Sequence, residues 1–553
     1  MSSLDLLTIL LFSVGVMATG AAFSRTGRDM KSFFAGGGNV PWGMNGLSLF
    51  MGFFSAGTFV VWGSIAYSYG IVAIMIQLTM SVAGFVVGTW IAPRWQRTHC
   101  LTAAEYIRER LGVRVQKFYT YIFLAVSVFT TGSFLYPVAK IVEVTAGIPL
   151  TASILALGAF SMIYVAIGGL RGVVVTDVLQ FVILFAAVVI VVPLSFGKIG
   201  GVGEFFNSIP QEFMIPVNGE YTWWFLTAFC VYNSFFLGGN WAYVQRYTSV
   251  ATPKESRKVG WLFGILYLVS GVLWMLPPMI YRIYDPSLAG LDNENAYLLM
   301  CKVAMPAGLL GLMLGGMIFA TASSLNATLN ISAGVVTNDI FRRLSPDASD
   351  KTLMRVARIS TLGFGVLAVI VALLVKSMGG IVNVVISVAA LTGVPIYLPV
   401  IWSLFSKRAN AKSTLSVTLV SLAVNLIFKF VTPIWGLQLS RSTEMAVGAF
   451  FPLALLILLE IAMALKGYRD PRYKEYAAEA AVQTLSDENA SAAAAANRFT
   501  GRVLGVAIGS AGAVIATLGA MSGESVAIPV SIGLAIVFAG IFIFLRNRSR
   551  SRQ

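Results

Sequence analysis

The chain has 553 residues, 57% of them hydrophobic and 11% charged, with a mean hydropathy of +0.81. Soluble domains carry roughly 25% charged residues, so a water-soluble globular fold is excluded and an integral membrane protein is expected. The net charge of +15 is dispersed over alternate loops, which speaks of topology and not of a nucleic-acid partner.

Apolar runs long enough to cross a bilayer recur along the whole chain. They lie near 3–23, 41–66, 71–93, 118–145, 149–168, 175–196, 221–245, 259–281, 303–337, 353–376, 380–405, 413–431, 443–465, 503–521 and 526–545, about fifteen in all. The alternating pattern of a transmembrane barrel is absent. The first run has Asp5 at its start and Arg25, Arg28 and Lys31 after it. That is the reverse of a signal peptide, so the run is expected to stay as a span. Basic residues recur in the loops at 94–117, 246–258, 342–358, 407–412, 466–474 and 546–552, and the intervening loops hold few. The positive-inside rule then predicts an external amino terminus and a cytoplasmic carboxyl terminus.

The second run, PWGMNGLSLFMGFFSAGTFVVWGSIAYSYG, becomes small and polar around Phe53 to Thr58. Five spans later Gly238 and Gly239 interrupt another apolar helix. Two interrupted helices at corresponding positions point to an inverted-repeat transporter, whose unwound backbone offers carbonyls to ions and polar groups to solutes. Close packing of helices is the competing use of such glycines. Gln77, Thr130, Asn233 and Tyr267 are single polar groups in apolar helices, each readable alone as a helix–helix hydrogen bond. Lys140 and Glu143 lie where snorkelling accounts for them. Asp177 opens the sixth span, either favouring a helix start and facing Arg171 or standing near the inner end of an ion path.

In the run from Gly311 to Asp339, Ala320, Ser323, Ser324 and Ala327 share one helical face. Two hydroxyls beside small residues suit either close packing or a hard cation. The lone histidine, His99, sits in a basic loop, so an intramembrane histidine metal centre or a Ser-His-Asp triad is excluded. Cys100, Cys230 and Cys301 are scattered, with no disulfide framework indicated. No GxxxxGK[ST] loop occurs, which argues against nucleotide hydrolysis. The stretch 467–502, charged and then alanine-rich, reads as a solvated cytoplasmic linker.

GGLRGVVVTDVLQ, NWAYVQRYTSVATPKESRK and ATASSLNATLNISAGVVTNDI, supported by FSAGTFVVWGSIAYSYG and FLYPVAKIVEVTAGIPL, together resemble the sodium/solute symporter family. The resemblance runs from about Ser2 to Leu465 and implies an all-α polytopic membrane protein of LeuT type. Its parts would be an extra helix (1–36), two inverted five-helix repeats (37–200 and 201–408), two additional spans (409–466), the linker, and two final spans with a basic tail (503–553). It implies no enzyme activity and no organic cofactor. Na+ would be the coupling ion, bound by the carbonyls of Met51, Phe54 and Ala320 and the hydroxyls of Ser323 and Ser324. Where some relatives hold a second sodium, this chain has Asn326 and Ala327, so one ion is expected, with Asp177 on its release path. Substrate positions map to Ser55, Thr58, Gln77, Thr130, Asn233, Phe236 and Tyr267. None is charged, which favours a neutral or zwitterionic small solute as partner. The expected function is sodium-coupled import across the cytoplasmic membrane, with no obligatory protein partner and no nucleic acid. Proton coupling through Asp177, or a membrane solute sensor, are the alternatives.

Overall fold

A computed structural model of the protein describes residues 2–23, 40–100, 102–167, 173–473, 490–521 and 526–549. The described chain is helical; its only β pairing is an isolated bridge between Asn218 and Tyr221. Apolar chain in lipid has no water to satisfy its peptide groups, so each run closes its hydrogen bonds within itself as a helix. Each of the fifteen runs falls mainly on helix. Among the described residues ten helices are long and apolar enough to cross a membrane, or eleven when one bent pair counts as a single span. A total of about fifteen spans is therefore not established by length and composition.

The first helix, α1 (Ser3–Phe23), precedes a broken pair, α2 (Trp42–Phe53) and α3 (Ala56–Tyr69), bent by 60°. Then come α4 (Ile71–Val86), which continues through a π turn to Gln96, the short α5 (Ala103–Leu111), α6 (Val113–Ala146), α7 (Leu150–Ile167) and α8 (Val173–Lys198). A second broken pair, α9 (Trp223–Gly239) and α10 (Trp241–Thr248), leads into α11 (Pro253–Tyr284). After a short α12 (Ala296–Ala304) follow α13 (Leu309–Val335), α14 (Asp350–Leu374) and α15 (Ile381–Ser403). The last helices are α16 (Ala411–Leu426), α17 (Arg441–Leu465), α18 (Ala490–Met521) and α19 (Ala527–Ser549). Leaving out short α5 and α12, each broken pair heads a set of five spans.

The first broken pair is the centre of the bundle. α2 packs on α8 and α11, and α3 packs on α4, α6 and α11. α4 and α11 cross so closely that side chains are excluded at the crossing. A Cβ on Gly84 would lie 2.6 Å from the Gly264 nitrogen, and one on Gly260 would lie 2.5 Å from the Gly88 Cα. Gly70 joins α3 to α4 at φ +61, a left-handed conformation that favours glycine. The terminal hairpin α18–α19 reaches this centre as well: Leu504 and Ile508 pack with Val178 of α8 against Met44 and Leu47 of α2.

α1 is fastened to the helix expected to hold the ion. Asp5, 2% exposed, accepts the N–H groups of Gly308 and Gly311 at 2.7 and 3.0 Å, capping α13 from another helix. Thr8 donates to the Gly308 carbonyl at 3.0 Å. Gly311 has no side chain to place where the Asp5 backbone already sits. Asp5→Ala leaves two buried N–H groups without an acceptor and is expected to destabilise the protein by about 2 kcal/mol. Thermal unfolding in detergent measures this; an unchanged midpoint would count against the cap.

Candidate functional site

The first break follows from the sequence FFSAGT. Phe54 (φ −88, ψ 121) and Ser55 (φ −148, ψ 174) leave the helical region, and Ser55 caps the new helix. Its hydroxyl accepts from the Gly57 N–H at 3.2 Å, and Thr58 Oγ1 accepts from the Ser55 N–H at 3.4 Å, a reciprocal capping box. The Thr58 N–H, which an unbroken helix would give to Phe54, turns to the Ser55 carbonyl at 2.9 Å. The carbonyl of Phe54 is thereby released from the helical ladder. The second break centres on Asn240 (φ −63, ψ 130), one residue beyond the glycine pair; its side chain caps α10 by accepting from the Ala242 N–H at 3.0 Å.

The first break is tied to α13. The Ala56 N–H donates to Thr321 Oγ1 at 2.7 Å, and Thr321, fully buried, donates in turn to the Met317 carbonyl at 2.8 Å. This link ties the start of α3 to the turn of α13 that carries Ala320 and Ser324. Ser324 Oγ and the Ala320 carbonyl oxygen are themselves 3.3 Å apart, and Met51 accepts from the Phe54 N–H at 3.2 Å. The side chains of Ser323, Asn326 and Ala327 lie outside the described residues. Among the described residues no group of three or more His, Cys, Asp or Glu side chains gathers. A cation here would thus rely on peptide and hydroxyl oxygens, which suits a hard ion.

Next to this junction a cavity of about 230 Å³ is lined by α2, α3, α4, α6, α9, α10, α11, α13 and α15. Ser55, Thr58, Thr130, Asn233, Phe236 and Tyr267 line it, as the sequence led one to expect. Gln77 does not: it is 2% exposed and packs against Gly271 of α11, where a Cβ would approach its own Cβ to 2.8 Å. The walls are largely aromatic. Phe53 stacks on Tyr243 with centroids 4.8 Å apart, Phe236 meets Tyr397 at 5.5 Å, and Tyr119, Phe123, Tyr232 and Trp241 are among the other rings in the wall. Among the described lining residues none is charged.

The polar groups in this wall have defined polarity. Ser55 and Thr58 use oxygen lone pairs on backbone N–H groups, which leaves their protons to donate. Asn233 is 1% exposed, and its Nδ2 donates to Thr79 Oγ1 at 2.9 Å. Thr79 gives its own proton to the Ile76 carbonyl at 2.6 Å, so it can only accept from Asn233, and the amide orientation is fixed. Asn233 Oδ1 has no protein partner. The wall therefore holds two hydroxyl donors at the start of α3 and, on α9, a buried acceptor with no partner.

Asp177 stands in the second turn of α8, past the first turn where a helix dipole would favour it. Its Oδ2 accepts from Ser48 Oγ at 2.7 Å and lies 4.0 Å from the Arg246 guanidinium; Arg246 Nε also reaches Ser48 at 3.2 Å. Arg171, its expected partner, lies outside the described residues. The contact instead joins α8 to the first half of one broken helix and the second half of the other. Lys140 pairs with Glu143 at 3.0 Å, so these two do more than snorkel. Thr321, Ser48 and Arg246 were not singled out from sequence. Thr321 offered a faint signal, a hydroxyl next to Ala320 on a helix of small residues.

A family model for the sodium:solute symporter family matches residues 33–421. The sodium/glucose cotransporter of Vibrio parahaemolyticus is 25% identical over 470 residues, covering 78% of this chain and 86% of that protein. The sodium/sialic acid symporter NanT of Aliivibrio fischeri is 25% identical over 442 residues, covering 77% and 87%. Among solved structures, a Na+-coupled sialic acid symporter in its outward-open state superimposes with a TM-score of 0.68 at 21% identity, covering 83% of this chain and 98% of its own. Mhp1, a nucleobase-cation-symport transporter, gives 0.50 at 14% identity, covering 79% and 95%. The fold is therefore the LeuT-type arrangement of two five-helix sets, and the chain is a multi-pass membrane transporter that belongs to the sodium:solute symporter family.

Proposed function

We propose that this protein imports a small neutral or zwitterionic organic solute across the cytoplasmic membrane, driven by one sodium ion per cycle. The observation that carries this reading is the pairing of an ion-competent junction with a charge-free cavity. Ala56, next to the Phe54–Ser55 break, is tied to Thr321 on the turn of α13 that carries Ala320 and Ser324, and the adjoining cavity is lined by the hydroxyls of Ser55 and Thr58 and by Asn233, whose Oδ1 is buried without a partner. Met51, Phe54, Ala320, Ser323 and Ser324 would supply the oxygens for sodium. The ion would brace the broken helix against α13 in one conformation and not the other, the differential contact that alternating access requires. The helix sets at 37–200 and 201–408 would then move against each other, and the Asp177–Ser48–Arg246 contact would open as the ion leaves. In this reading the amino terminus is external and the basic loops are cytoplasmic. One inward charge contributes roughly 2.3 kcal/mol per 100 mV before any concentration term.

The relatives' named solutes include glucose and sialic acid. An anionic solute would meet no cationic side chain among the described lining residues, whereas a sugar-like or polyol solute could stack on the aromatic wall and use the donor–acceptor set. The test is uptake into proteoliposomes holding an imposed sodium gradient, with labelled sugars, polyols, neutral amino acids and carboxylates. Accumulation of a neutral solute that collapses when the sodium gradient is removed is expected. Uptake that follows an imposed pH gradient at equal sodium would replace sodium by proton coupling, and preferential uptake of carboxylates would overturn the substrate class.

A further inference from the structure

On the basic-loop face a second hollow, of about 1010 Å³, lies where α5 meets α6, α16 begins and α17 ends. Arg114, Lys412, Lys466 and Arg472 line it, all exposed. None of the four makes an ion pair among the described residues. The single carboxylate in the lining, Asp470, is already paired with buried Arg110. Other cations on the same face do find acids: Arg408 meets Glu460 at 3.2 Å and Arg246 meets Asp177 at 4.0 Å. The positive-inside rule accounts for cations on this face. It does not account for four of them converging on one concavity with no free acid.

Two further features raise the positive potential there. α6 starts at the wall of the hollow with no side-chain cap, and α16 starts beside it, so both contribute the partial positive charge of a helix amino terminus. Gly112, at φ +99, leaves the space over this helix start to the Arg472 guanidinium. Four like charges around one hollow repel each other, and a bound anion relieves that cost. The remaining wall includes Leu111, Val113 and Met463, apolar side chains at the ends of helices. A ligand that is anionic at one end and apolar at the other fits both halves of the lining, as basic pockets between spans on the cytoplasmic side do for lipid headgroups.

We propose that this hollow binds the headgroup of an anionic phospholipid, with its phosphate among Arg114, Lys412, Lys466 and Arg472. A lipid so placed links the α5–α6 junction to α16 and α17. The full-length protein, purified in detergent and stripped of lipid, is titrated with phosphatidylglycerol or phosphatidylcholine, and retained lipid is counted by native mass spectrometry. Wild type is expected to retain phosphatidylglycerol selectively, and the triple variant Arg114→Gln, Lys412→Gln, Arg472→Gln is expected to bind it roughly tenfold or more weakly. The control triple variant Lys351→Gln, Arg355→Gln, Arg358→Gln removes the same charge from α14 on the same face and is expected to behave as wild type. Equal losses in both triples would reduce the effect to diffuse surface charge and overturn the site. Displacement of the lipid by millimolar inorganic phosphate would overturn the lipid assignment in favour of a soluble anion.

Discussion

Replacing Arg110 by alanine is expected to destabilise the protein by about 3–5 kcal/mol, the range for removing one partner of a buried ion pair. The Arg110 side chain is fully buried. Its guanidinium pairs with Asp470, donates to the carbonyls of Ala409 and Ser406 at 2.8 and 3.3 Å, and lies 5.2 Å from the Tyr473 ring centroid. Truncation leaves Asp470, 6% exposed, as an uncompensated buried charge and two carbonyls without a donor. The paired substitution Arg110→Met with Asp470→Leu removes both charges at once and is expected to recover a large part of the loss. Arg408→Ala is the internal comparison. Its side chain is 36% exposed in its pair with Glu460, and such partly solvated pairs contribute about 0–1 kcal/mol. Heat-challenge survival by size-exclusion chromatography in detergent ranks the variants. Arg110→Ala no worse than Arg408→Ala would mean that the α5 junction is not held by this pair. Because Asp470 lines the basic hollow, freeing its charge by loss of Arg110 is also expected to weaken phosphatidylglycerol retention.

What the sequence disclosed and what it withheld separate by distance along the chain. Helices and breaks arise from local chemistry. The run FFSAGT carries its own capping box, and the break at 54–55 was readable there. The second break was readable from Gly238 and Gly239, although the extended residue proved to be Asn240, which caps α10 where glycine cannot. Six of the seven expected substrate positions line one cavity because the resemblance already encoded which helix faces turn inward. Gln77 fails because α4 crosses α11 at glycines, and this crossing directs Gln77 at Gly271 instead of at the cavity. The contacts that hold the site together are long-range and left no periodic trace. Asp5 caps a helix start 303 residues away, Arg110 meets Asp470 across 360, and Thr321 meets Ala56 across 265. In each case the sequence shows an isolated polar residue whose partner is fixed only by the packing of helices.

Thr321 provides the second large effect, since it joins the broken helix to the proposed ion-binding face of α13 without being an expected ligand. Thr321→Val keeps the volume but leaves the Ala56 N–H, at the start of α3, buried without an acceptor, at a cost of about 1–3 kcal/mol. If α3 moves away from α13 to find another partner, the proposed shell of Met51, Phe54, Ala320 and Ser324 oxygens comes apart. Sodium affinity should then fall by about tenfold or more, as 1.4 kcal/mol corresponds to a factor of ten. Thr321→Ser keeps the hydroxyl and is expected to stay near wild type. Ser324→Ala removes an expected ligand oxygen while leaving the helix junction intact, so it is expected to weaken sodium binding without a comparable loss of stability. Labelled sodium binding to purified protein, read beside thermal unfolding, separates the two. Thr321→Val should move both readouts and Ser324→Ala chiefly the first. Sodium binding unchanged in Ser324→Ala would remove this hydroxyl from the ion's shell. Binding unchanged in Thr321→Val would show that the junction holds its geometry through the aromatic packing of Phe50 and Phe54 on Trp274, with centroids 5.5 and 4.1 Å away, and not through the hydroxyl.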